Sequence, residues 1–172
     1  MNDLEDAWEL ALAEAARRAE GAGRADIARY LDLRRGNDLL RRTAIDWLNA
    51  AFTSLAADAN RVSAGIQMER HDDHRFRRGS ATMVGSQLIL RRGVRELAVE
   101  SGWPRTPRDG IVRGAGLACA NIKHLGRRRL NAELLLVKSR SNSPQWCVLK
   151  DDAQSPLTEA LLRRHISLLI QP

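Results

Sequence analysis

Four consecutive residues, His71, Asp72, Asp73 and His74, place two imidazoles and two carboxylates inside the stretch HDDHRFRRG. These side-chain types serve zinc coordination and general acid–base catalysis. Four chain neighbours cannot all converge on one ion, and a further ligand would have to come from His124 or a cysteine. No spacing in the sequence ties those residues together. A small metal-independent nuclease or hydrolase could instead use one histidine as base and the other as acid, which makes His71 and His74 the candidate catalytic pair. Histidine beside aspartate is also common in exposed turns. A three-residue loop, His71 to Asp73, would pair Met68 with Phe76, keep both on the core side, and require a left-handed Asp73, which aspartate tolerates. The stretch is therefore expected to be a hairpin tip that separates the two histidines.

The arginines offer different chemistry. They cluster as Arg75, Arg77 and Arg78; Arg91, Arg92 and Arg95; Arg105 and Arg108 beside Trp103; and Arg127, Arg128 and Arg129. On strands Arg75 and Arg77 share a face, as do Arg91 and Arg95, so hairpins could assemble a phosphate-binding surface. Phe76 is the only aromatic among the strand arginines, which argues against a base-stacking platform, and no helix-turn-helix, zinc-finger or RNA-recognition pattern is present. The loop ESGWPRTPRDG joins a rigid aromatic to forked cations, the composition of an interaction loop, although Trp103 could equally fold back to cap the sheet. RGAGLACA begins like a dinucleotide fingerprint through Gly114 and Gly116, but Cys119 stands at the third glycine and no strand of adequate length precedes it. The segment reads as a strand with close backbone approach or as a short helix. Cys119 and Cys147 lie in apolar surroundings and read as buried thiols; His124 and His165 read as surface or helix-end residues. No cofactor and no metal is expected.

The elements that must carry these groups follow from periodicity. Asp3 to Glu20 keeps Leu4, Trp8, Ala11, Leu12, Ala15 and Ala19 at helical spacing. Gly21 to Gly23 ends that helix. A shorter helix over Arg24–Arg35 turns Ile27, Ala28, Leu31 and Tyr30 inward and stops at Gly36. A third, Asp38 to about Asn60, presents Leu40, Ala44, Trp47, Leu48, Ala51, Phe52, Leu55 and Ala59, with Trp47 and Phe52 expected in the core. From about Ser63 the period becomes two. ATMVGSQLILRR sets Val84, Leu88 and Leu90 against Met83, Gln87 and Arg91, and VRELAVE sets Leu97 and Val99 against Glu96, Ala98 and Glu100. Strands at Leu134–Lys138 and Trp146–Lys150 flank the turn SRSNSP. A final helix capped at Ser155, with Pro156 in its first turn, covers the sheet. The reading is α+β in a single domain: about three N-terminal helices over 1–62, a mostly antiparallel sheet or partial barrel over 63–152, and a C-terminal helix over 153–172.

At 172 residues, with 44% hydrophobic and 28% charged residues, the chain suits one packed core. No apolar run is long enough to span a membrane, and the acidic start resembles neither a secretory signal nor a transit peptide. Two cysteines make no disulfide framework and fit a cytoplasmic location. The pI is 10.6. Residues 1–60 hold 8 basic and 11 acidic side chains, and residues 61–172 hold 20 and 10. That asymmetry suggests an anionic partner or an acidic–basic contact. These features together point to a non-enzymatic module that binds a protein partner or itself as a homo-oligomer. Nucleic-acid binding through an arginine-rich sheet face is the alternative, and the histidine-based hydrolase comes third.

Overall fold

A computed structural model describes residues 3–171, with side-chain burial described from Asp6 onward. It is α+β, with two helices, seven strands and a final helix. Chain contacts divide it into two compact units that meet between Arg42 and Thr43.

The first unit contains helix α1, Asp3–Gly21, and the beginning of α2, Ala25–Arg61. Leu12, Ala16 and Ala28 are its buried hydrophobic residues, while Trp8 and Tyr30, expected inside, are 48% and 62% exposed. Leu4 lies outside the residues whose side chains are described. The expected break at Gly36 does not occur, and α2 runs unbroken through 37 residues. Glycine inside a helix costs only about 1 kcal/mol against alanine, which neighbouring turns can outweigh. Asp38, where the third helix was expected to begin, is instead a buried mid-helix residue accepting from Arg41 at 2.7 Å.

The second unit is an antiparallel meander in which sequence order is also spatial order, open at both edges and not closed into a barrel. Its strands are β1, Gln67–Arg78; β2, Ala81–Arg92; β3, Arg95–Trp103; β4, Ala118–His124; β5, Ala132–Lys138; β6, Pro144–Lys150; and β7, Ala153–Pro156. The two-residue alternation in β2 and β3 holds as expected. Leu88, Leu90, Leu97 and Val99 lie on a helix-covered face, and Gln87, Glu96 and Glu100 on the opposite one. RGAGLACA resolves as a loop entering a strand, not a helix: a Cβ on Gly116 would sit 2.3 Å from Leu135 Cδ1 and 2.8 Å from Val112 Cγ1.

The helix-covered face packs against α2 from Thr43 on and against α3, Glu159–Ile170. Leu48, Phe52 and Ala56 are fully buried there, whereas Trp47, expected beside Phe52, is 52% exposed. Polar pins fix the layers: Asn49 Nδ2 donates to Ser86 Oγ at 2.8 Å, and Trp146 Nε1 donates to the Ala44 carbonyl at 3.0 Å. The final helix begins later than Ser155 implies. Thr158 is its cap, accepting from Leu161 N, while Ser155 and Pro156 complete β7. The sheet is sharply curled. In a flat sheet β1 and β5 would lie roughly 19 Å apart, at about 4.8 Å per strand, yet Arg78 Nη2 reaches Glu133 Oε2 at 3.0 Å. Gly85 opposite Gly102 permits this bend, since a Cβ at Gly85 would stand 2.0 Å from the Ser101 carbonyl. Phe76, Ala81, Met83, Cys119 and Leu135 form a second, small core inside the curl.

Candidate functional site

HDDHRFRRG is not a hairpin tip. Its first eight residues, His71 to Arg78, are the second part of β1, pairing with β2 on both sides of a bulge at Asp73, and only its last residue, Gly79, enters the turn, with Ser80. Asp73 does adopt the left-handed backbone, at φ 58°. A left-handed aspartate fits a hairpin loop and a bulge alike, so the local signal is real and only its pairing context is different. The bulge reverses the alternation of the strand. Met68 lies across from Leu90 on the helix-covered side, and Phe76 across from Met83 on the other.

That reversal brings His74 onto the face opposite the helices, beside Glu100. His74 Nε2 lies 3.2 Å from Glu100 Oε1, and its ring stacks against Phe76 at 6.0 Å between centroids. Glu100 is buried and also meets Lys123 Nζ at 2.7 Å and Asn121 Nδ2 at 3.2 Å. Burial alone would raise its pKa, but the hydrogen bonds from Lys123, Asn121 and His74 outweigh that and hold it below the usual carboxylate range. His71 remains exposed and pairs with Glu69 at 3.0 Å. The two histidines are thus separated, by a bulge instead of a turn. Among the described residues no group of three or more metal-ligating side chains comes together.

The arginines part company. Arg78 is committed to Glu133 and the Leu134 carbonyl; Arg91 to Glu69 and Glu96; Arg92 to the carbonyls of Ala64 and Ile170. Arg95 keeps a buried Nη1 with no hydrogen-bond partner. Arg75 and Arg77 are exposed along the edge strand, on the opposite face from Arg78. Trp103 is buried at the end of β3, and the Arg105 guanidinium lies 3.6 Å from its ring centroid. In the same loop Asp109 Oδ2 accepts from the Thr106 amide and hydroxyl and from the Arg105 amide. Arg108 is exposed. Arg127, Arg128 and Arg129 line a hollow of about 910 Å³ on the face opposite the helices, together with Gln87, Glu96, Glu100 and Lys123. Arg127 bonds the Leu168 carbonyl, while Arg128 and Arg129 have no ion-pair partner among the described residues.

Sequence reasoning missed one pair of functional groups. His124 and His165, expected at the surface, are buried against each other, with Nε2 to Nδ1 at 2.9 Å and rings stacked at 5.2 Å. Burial, with Arg127 and Arg164 nearby, lowers both pKa values, that of His165 to about 4. A clue was present in the spacing, since His165 sits between Leu161, Leu162 and Ile166 on the apolar stripe of the final helix. Cys119 and Cys147 are buried as expected, and burial pushes both thiols up.

The helical unit carries a different kind of surface. Trp8, Leu10, Tyr30, Leu33 and Leu39 are all between 48% and 62% exposed. Arg34 lies 5.5 Å from the Trp8 ring centroid. No helix among the described residues is long and apolar enough to cross a membrane. No protein-family model, curated protein or solved structure matches the chain.

Proposed function

We propose that the chain is a non-enzymatic binding module that self-associates through its helical unit. The observation that carries this reading is the set of five large apolar side chains left exposed on that unit. A pair of helices this small buries too little surface to leave so many anchors in water at no cost. Charge favours a second copy as the partner. Helix α1 has Asp6 and Glu9 in its first half and both of its arginines, Arg17 and Arg18, beside Glu14 and Glu20 in its second, so two copies packed antiparallel bring the acidic half of each against the only cations of the other. Light scattering should give a mass that rises with concentration, and Leu10→Glu with Leu33→Glu should return it to that of one chain. A wild-type chain that stays monomeric over an about hundredfold concentration range would remove the proposal.

A second reading rests on Arg128 and Arg129, unpaired beside the hollow. If they contact nucleic acid, binding of mixed DNA and RNA weakens steeply with salt, and Arg128→Ala with Arg129→Ala lowers the salt slope by about two. Absence of any salt-dependent retardation in a gel excludes it.

A further inference from the structure

The small core inside the curl ends in a cleft of about 820 Å³, separate from the hollow at Arg127–Arg129. Its floor is apolar, with Leu135 and half-buried Leu149 on adjacent strands, and Ile111, 77% exposed, stands at its mouth. That volume is of the size that takes a small molecule, and the lining is mixed, apolar at the floor and charged at the rim. The rim carries both signs of charge: Arg113 and Lys150 on one hand, Asp151 and Asp152 on the other. None of these four has an ion-pair partner among the described residues, whereas Arg78 and Glu133 close on each other at 3.0 Å.

The walls are strained. Asp151 and Asp152 turn β6 into β7 with both residues left-handed, at φ 48° and 64°, and Ala115, next to the lining residue Gly114, is left-handed at φ 56°. A two-residue hairpin with both φ values positive is best served by Asn-Gly. Aspartate at the second position and alanine in a left-handed conformation each carry a steric cost, and such costs gather at ligand sites. Asp151 suits the first position of this turn, whereas glycine would suit the second better than Asp152 does.

We infer that this cleft binds a small zwitterion with an apolar body, of the kind an amino acid with a large hydrophobic side chain provides. The body lies on Leu135, Leu149 and Ile111; the carboxylate meets Arg113 and Lys150; the ammonium meets Asp151 and Asp152. A ligand of one charge sign would leave the opposite pair of the rim unmatched as water is displaced.

The test is an amide NMR titration of the whole chain with L-phenylalanine, N-acetyl-L-phenylalanine and L-phenylalanine amide. The expected result is saturable shifts over 111–119 and 149–154 with phenylalanine, and binding weakened at least about tenfold for each blocked derivative. The double variant Asp151→Asn, Asp152→Gly gives the turn its preferred residues, so it should melt higher than the parent yet bind phenylalanine about tenfold more weakly. Absence of saturable shifts with phenylalanine up to about 10 mM overturns the site. Equal binding of either derivative overturns the zwitterion, as does undiminished binding by the better-folded variant.

Discussion

At the residue scale, two glycines and one carboxylate show how single side chains control this sheet. Gly85 faces Gly102 where the sheet bends, and a Cβ at Gly85 would meet the backbone of β3. Backbone cannot swing aside as a side-chain tip can. Gly85→Ala should therefore destabilise the chain by about 3 kcal/mol in urea unfolding, while an exposed alanine substitution such as Gln145→Ala changes little. Glu100 is the hub for His74, Asn121 and Lys123. Its pKa is held below the usual range in the folded chain, so it contributes stability above its unfolded pKa that is lost as pH falls through its folded value. Glu100→Gln keeps the shape and removes the charge. It should lower the melting temperature at neutral pH and reduce the difference from the parent in strong acid, as followed by circular dichroism. The polar character of Glu100 was plain in the alternation of VRELAVE. Its burial was not, because burial comes from β1 curling across it.

At the scale of elements, the contact between β4 and α3 turns on the two buried histidines. One imidazole donates and the other accepts, and a second proton would set two N–H groups against each other near Arg127 and Arg164. The folded pKa of His165 is depressed to about 4, against an unfolded value of 6.5. The unfolded chain therefore takes up the proton first as pH falls, so stability is full above 6.5 and declines between 6.5 and about 4. The decline should be on the order of 3 kcal/mol. His165→Leu should flatten that part of the stability profile in denaturant titrations. The cap of the same helix is legible in retrospect: Thr158 accepts from Leu161 N, and Thr158→Ala should cost about 1 kcal/mol. Ser155 and Pro156 gave an equally good cap signal and lost to β7, whose pairing with β6 is a contact the local sequence does not carry. Gly36 shows the converse, a real break signal overridden by the turns on either side of it.

At the scale of the whole molecule, self-association makes stability depend on concentration. The melting temperature should rise with protein concentration, and Leu10→Glu with Leu33→Glu should abolish that rise. Much of the architecture could be read beforehand. Helical and alternating periods, with the turn residues between them, specify helices first, then an antiparallel sheet, then a closing helix, and they assign most strand residues to the correct face. These properties are local, set by side-chain spacing and backbone preference within a few residues. Three things were decided only by tertiary structure. The bulge at Asp73 needed eleven paired positions between β1 and β2 to be told from a hairpin loop. The burial of His124 and His165 required two elements 41 residues apart to meet. The scattering of the arginines, with Arg78, Arg91, Arg92 and Arg127 committed to carboxylates or carbonyls, followed from how distant strands and helices meet. Periodicity shows which side of an element a residue occupies; what covers that side depends on contacts between distant segments, and these form only in the folded chain.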